Sequence, residues 1–261
     1  MILFDSHCHL DDKIYDNDLQ DVIERAQKEN VNAMMLAGVN IKTCLKAVEI
    51  ADKYDNIITS VGIHPHDAKA CSKNDLNTLA DIAKENECVK AWGETGLDYN
   101  RMFSPASDQE NCFVAQLEMA GTLDLPMIFH ERDSKGRFFE ILKSEAPQTR
   151  KGVVHCFSGT KNEMFKYLDL DYYIGITGIL TLLKRGEYLR SIVPHIPEDR
   201  ILIETDAPYL TPAPHKNKTR RNEPLFVKSV LLKLAEIKNS DPDELSQIIF
   251  DNTCKFYSVE F

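Results

Sequence analysis

The sequence predicts an α/β protein of the (β/α)8 TIM-barrel class, built as one domain over residues 1–261. Eight short runs of β-branched and aromatic residues read as buried parallel strands. Between them lie longer segments whose apolar residues recur at the roughly 3.6-residue period of helices. Eight strand-then-helix repeats in 261 residues fit one barrel, with a doubly wound open sheet as the main rival. Hydrophobic residues make up 43% and charged residues 28%, enough apolar material for one sizeable core. No Pro/Gly/Ser-rich or single-charge stretch breaks the alternation, so no linker is expected.

The first run, Ile2–Phe4, leads into SHCHL. His7 and His9 are two residues apart, so on extended backbone both point one way while Cys8 points the other, and the pair can chelate one ion. Leu19, Val22, Ile23 and Ala26 mark the apolar face of the next helix. Ala33–Ala37 is the second run. The third, Ile57–Gly62, opens on GIHPHD with His64 and His66, and Ser72 starts a helix faced by Leu76, Leu79, Ile82 and Ala83. Val89–Gly93 ends at Glu94, after which Ser104 followed by Pro105 reads as a helix start. Pro126–His130 and Gly152–Cys156 carry His130 and His155 at their ends. Tyr172–Ile176 and Ile201–Glu204 complete the eight, the last leading to Asp206. The tail after Ser240 reads as an extra helix over an end or side of the barrel.

His7, His9, Glu94, His130, His155 and Asp206 therefore fall at or just beyond the C-terminal ends of predicted strands, the face on which barrel active sites are built. One histidine in such a place is as readily a hydrogen-bonded core residue as a ligand. Six such groups would be costly to bury without a cation to satisfy them. Six also exceed the three protein ligands of an open zinc site, so the set implies two adjacent divalent ions with a carboxylate bridging them. Asp206 can in addition accept a proton from water. Glu204, two residues earlier, faces the same way; it either orients a ligand or water, or is a buried carboxylate satisfied by a neighbour.

Lys216, Lys218, Arg220 and Arg221 lie in PAPHKNKTRRNEP, after the eighth run. A basic run is ordinarily a solvated face. In this acidic chain it reads as phosphate-binding, with Arg220 or Arg221 and Arg101 as bidentate candidates. His66 reads as a phosphate contact rather than a ligand. Tyr99, Phe103 and Tyr209 either stack on bases or pack. His195 and His215 read as surface.

FDSHCHLD, GIHPHD, GETGLDYNR, FHER, HCFSG, GITG, IETDAPYL and RRNEP together resemble the TatD family of metal-dependent deoxyribonucleases, within the larger amidohydrolase-like barrels. The resemblance runs from Phe4 to about Phe256. HxH alone is shared by many metallohydrolases, whereas GETGLDYNR, GITG and RRNEP are more specific; some family members lack the first HxH pair, which this chain has. The resemblance implies His7, His9 and Asp206 on a first ion, Glu94 as bridge, and His130 and His155 on a second. It implies magnesium-supported activity, although imidazole-rich ligation by itself suits zinc or manganese. The substrate it implies is DNA with a single-stranded or frayed end, with RNA as a second target, degraded 3'-5' to 5'-phosphate nucleotides.

A formal net charge of -10 argues against a protein that coats nucleic acid through a broadly basic surface, but not against a nuclease. The seven cysteines form no CxxC pair and point to a reducing compartment. MILFDSHCHL lacks a basic stretch before its short apolar run, and no run approaches membrane-spanning length. A soluble, cytosolic chain is expected, monomeric by default, with no membrane partner. Two rival classes stand beside the nuclease. One is a small-molecule amidohydrolase acting on a cyclic amide, lactone or D-aminoacyl bond, many of which carry lysine where this chain has Glu94. The other is a non-catalytic metal-binding scaffold, against which the intact ligand set argues.

Overall fold

A computed structural model describes residues 1–145 and 151–261. Among these, eight strands are formed: β1 (Leu3–Cys8), β2 (Val31–Leu36), β3 (Ile57–Val61), β4 (Val89–Asp98), β5 (Met127–Arg132), β6 (Gly152–Val154), β7 (Tyr173–Ile176) and β8 (Ile201–Ile203). Each is followed by a helix: α1 (Leu19–Lys28), α2 (Ile41–Ala51), α3 (Lys73–Glu85), α4 (Ala106–Leu123), α5 (Arg137–Glu145), α6 (Lys161–Leu168), α7 (Glu187–Ile192) and α8 (Val227–Lys238). A further helix, α9 (Pro242–Tyr257), follows α8. One sheet takes the strands in chain order, β1 to β8, with parallel pairings. A doubly wound sheet would reverse partway along that order, so the rival reading fails and the (β/α)8 class holds. No described helix is long and apolar enough to cross a membrane.

Two compact units divide the chain: Met1–Leu36 with Ile174–Phe261, and Ala37–Tyr173. In the first, alternation along β1 sends Phe4 to one face and Asp5 and His7 to the other. Phe4 meets the rings of Phe250 and Tyr257 on α9, each at 6.0 Å between centroids. The Tyr257 hydroxyl donates to the Ser6 carbonyl at 2.8 Å. Asp241 caps α9 by accepting from the amides of Asp243 and Glu244. The expected extra helix thus covers the Phe4 side of β1 and leaves the Asp5–His7 side to chemistry.

In the second unit the core is aromatic, Phe113 stacking on Phe138 at 5.1 Å and meeting Phe129 edge-on at 5.9 Å. Ser72 starts α3 as its position in the sequence implies, and the structure shows that it does so through a reciprocal capping box with Asp75. α4 instead begins after Pro105. The Ser104 hydroxyl is engaged elsewhere, donating to the His66 carbonyl at 2.8 Å and accepting from the Lys69 amide at 3.0 Å. It ties the segment carrying His66 to the head of α4. Strand β4 also runs five residues past the apolar stretch that predicts it, to Asp98, and β5 runs to Arg132. Glu94 therefore lies inside a strand, and alternation puts Gly96 and Asp98 on its face.

Candidate metal centre

The donors of the first unit gather where β1 and β8 end. The His9 amide donates to the Ala207 carbonyl at 2.7 Å and the Asp206 amide to the His7 carbonyl at 2.9 Å, stitching the two strand ends together. Asp206 adopts a left-handed φ of 56°, which Asp tolerates better than most residues. Its carboxylate Oδ1 lies 3.4 Å from His9 Nε2 and 3.9 Å from His7 Nε2. The two Nε2 atoms are 3.2 Å apart.

Behind this group Asp5 is buried and accepts from the Thr205 amide at 2.8 Å and from the Thr205 hydroxyl. Burial pushes its carboxyl up to about 8 despite those bonds. Glu204 is buried too. Its carboxylate fills the space over Gly175, where an added Cβ would lie 2.8 Å from Oε2.

The second unit builds its cluster around one carboxylate. Glu94 Oε1 lies 2.6 Å from His130 Nδ1, 3.2 Å from His155 Nε2 and 3.3 Å from His64 Nε2. Burial alone would raise the Glu94 carboxyl, but His155, His64 and His130 outweigh it and hold it well below the usual range. Burial lowers His64 to about 4, against the pull of Glu94. His130 is raised, because Asp98 and Glu94 together overcome burial.

Asp98 backs this group. Its Oδ2 is 2.7 Å from His66 Nε2 and 3.4 Å from His130 Nε2, and its Oδ1 accepts from the amides of Asn100 and Arg101 at 2.9 and 2.8 Å. Burial opposes the charge, but His130, His66 and the Arg101 amide keep the carboxyl far below its ordinary value. Gln109 on α4 holds the Asp98 backbone, accepting from its amide at 2.8 Å and donating to its carbonyl at 3.1 Å.

Both donor sets suit a divalent cation. Ligands bonded at about 2.0 Å in a tetrahedral arrangement are separated by about 3.3 Å, close to the His7–His9 and His9–Asp206 spacings. Two imidazole nitrogens facing each other allow at most one N–H between them, whereas both lone pairs can point at one ion. In the second unit the ligand atoms of His64, Glu94 and His130 lie within 4.8 Å of one another.

The described chain matches the family model for TatD-related DNases over residues 4–258. The chain belongs to that family. Curated relatives include an uncharacterized metal-dependent hydrolase of Bacillus subtilis, 36% identical over 99% of this chain and 100% of its own length. A 3'-5' ssDNA/RNA exonuclease TatD of Rahnella sp. is 38% identical over 98% of each chain. Among solved structures, a TatD homolog from Escherichia coli superposes with a TM-score of 0.90 at 26% identity, over 99% of this chain and 98% of its own. A TatD family hydrolase from Entamoeba histolytica reaches 0.89 at 26%, over 98% of each. This TatD-family chain is accordingly a member of a metal-dependent hydrolase family on a (β/α)8 scaffold, with His/Glu groups able to hold metal.

The structure brings His7, His9 and Asp206 together in one unit, and Glu94, His130 and His155 together in the other. His66 reaches into the second group through Asp98. Arg101 lends its amide to Asp98 and leaves its side chain exposed. Arg220 is exposed, whereas Arg221 is engaged within the fold by Asp18 at 2.7 Å and Glu223 at 2.8 Å, over the ring of Tyr15. The Tyr99 hydroxyl donates to Glu110 at 2.7 Å, and His215 stacks on Phe226 at 4.0 Å. Two further members of the second group, Asp98 and His64, are not marked as site residues by their places after apolar runs. Period-two counting from Glu94 along GETGLD would have flagged Asp98.

Proposed function

We propose that this chain is a metal-dependent deoxyribonuclease that removes nucleotides 3'-5' from single-stranded or frayed DNA, with RNA as a second substrate. The observation that carries the reading is the pair of largely buried imidazole–carboxylate clusters, one where β1 and β8 end and one around Glu94 within β4, in a TatD-related chain. His7, His9 and Asp206 would hold one divalent ion, His130 and His155 a second, with Glu94 shared between them. Such a pair, when bound, supplies water made nucleophilic near neutral pH and neutralises charge on the phosphate oxygens. Magnesium is the cation we assign for activity, with zinc and manganese as the alternatives. Asp206 takes up the proton released by the attacking water, and Glu204, fixed over Gly175, orients the groups beside it. His66, Arg101 and Arg220 contact phosphates, and Arg221 supports the segment that presents Arg220.

The polarity and substrate follow the Rahnella relative, whose name specifies a 3'-5' ssDNA/RNA exonuclease. Glu94 at the bridging position, and the absence of any need for the basic run in small-molecule hydrolysis, favour this reading over an amidohydrolase. We further propose that residues 1–261 act as one domain, monomeric and cytoplasmic. The deciding experiment is a time course on 3'- and 5'-end-labelled single-stranded and duplex DNA with magnesium, zinc or manganese. Stepwise loss from the 3' end, stopped by EDTA, is expected. Efficient cleavage of lactones or cyclic amides with intact DNA would reject the proposal.

A further inference from the structure

The segment after β7 carries the most exposed large apolar side chain among the described residues, Leu183 at 86%. One exposed leucine is ordinary; this one is held on a braced tip. Arg190 donates from Nη1 to the carbonyls of Leu180 at 2.9 Å and Leu182 at 2.7 Å, and from Nη2 to that of Leu183. Gly186 closes the tip so tightly that a Cβ there would lie 2.2 Å from the Ile179 carbonyl oxygen. Lys184 and Arg185 follow Leu183, both exposed.

The tip is tied to the segment after β8. Thr181 Oγ1 donates to the Gly178 carbonyl at 2.7 Å and accepts from the Ala213 amide at 2.8 Å. Gly178 packs under the same segment, leaving only 2.4 Å between an added Cβ and the Leu210 carbonyl oxygen. That segment leads from Asp206 through Tyr209, whose 54% exposed ring meets His9 edge-on at 6.0 Å, to the exposed Lys216, Lys218 and Arg220. A chain of formal charge -10 thus exposes five cations, with an apolar point among them, on two segments that hydrogen-bond to each other, one of which carries Asp206 and the Tyr209 ring that meets His9. Phosphates flanking a base step match that pattern; a second copy of this acidic chain does not.

We propose that Leu183 is a wedge that seats against the terminal base step of a duplex end, with Lys184 and Arg185 on the neighbouring phosphates, so that the strand to be cut is presented frayed. Apolar side chains inserted between base steps unstack them in this way, and cations beside them fix the backbone. The inference rests on the nuclease reading but is separable from it.

Binding in EDTA tests it without turnover, using duplex DNA with 2-aminopurine at the terminal step. Wild-type protein should brighten the probe on binding, Leu183→Ala should bind without brightening it, and Lys184→Glu/Arg185→Glu should bind more weakly with a shallower salt dependence. In magnesium, Leu183→Ala should slow resection of blunt duplex by about tenfold. Its rates on single strands and on bis(p-nitrophenyl) phosphate should stay within about twofold, because neither has a step to open. Equal brightening by wild type and Leu183→Ala, or equal slowing on duplex and single strand, would overturn the wedge. A Leu183-dependent dimer in sedimentation would overturn it as well. Normal unstacking with no hydrolysis of any phosphodiester would instead reject the nuclease reading.

Discussion

The two donor groups are built on opposite principles. Around Glu94, one buried carboxylate is surrounded by three imidazoles, and a second carboxylate, Asp98, backs His130 and His66. Opposite charges and hydrogen bonds already organise that group. At the end of β1, two imidazole nitrogens face one another at 3.2 Å and Asp206 stands further off. One group is organised by its own opposite charges, while in the other two imidazoles and a carboxylate converge at spacings that fit shared ligation of a cation.

The largest expected effect comes from taking the charge out of the organised group. Glu94→Gln should lower turnover on labelled single-stranded DNA by at least about a hundredfold while the metal-free melting temperature changes by a few degrees at most. Activity within tenfold of wild type would remove Glu94 from the centre of the site. Next, Asp98→Ala should weaken divalent-metal binding about 10- to 100-fold by titration calorimetry, since it frees His130, His66 and the segment at Arg101. Unchanged affinity would show that the imidazoles need no backing.

A third expectation concerns Asp5, behind the β1 group. Its folded-state carboxyl is raised from 3.8 to about 8. Between those values the folded chain keeps a proton that the unfolded chain has lost, so its stabilising contribution is complete at low pH and declines as pH rises towards the folded value. Urea denaturation in EDTA should show a fall of up to about 1.4 kcal/mol per pH unit from this group. Asp5→Asn should flatten it, and an equally steep profile in the variant would place the titration elsewhere. The smallest effect is expected from Gly175→Ala, whose methyl must displace the Glu204 carboxylate. A drop in kcat of about tenfold, with KM nearly unchanged, would fit a carboxylate that orients groups at the site. Unaltered kcat would leave Glu204 a buried carboxylate and nothing more.

Much of the scaffold was legible because buried parallel strands are nearly pure apolar runs, and all eight expected runs became strands. The end of β4 was not. Glu94, Thr95 and Asp98 are polar, yet each is buried, and hydropathy cannot separate a strand with polar side chains turned inward from a loop. The ligand types were readable from their places after apolar runs, whereas the partnerships were not. Arg221 looks like any other member of a basic stretch until Asp18, 203 residues away, is found beside it. Ser104 resembled a cap because its position before Pro105 fits one, but the His66 carbonyl competes for its hydroxyl.

The division of the chain also bears on its birth at the ribosome. Ala37–Tyr173 is continuous and can collect its contacts as it emerges, but β1 belongs with β8 and α9. At synthesis rates of roughly 5–20 residues per second, β1 waits on the order of ten seconds or more for those partners. Until then β1 has β2 to pair with but lacks the α9 rings of Phe250 and Tyr257 that cover Phe4, so the Phe4 face is the part of this strand that a nascent-chain chaperone would shield.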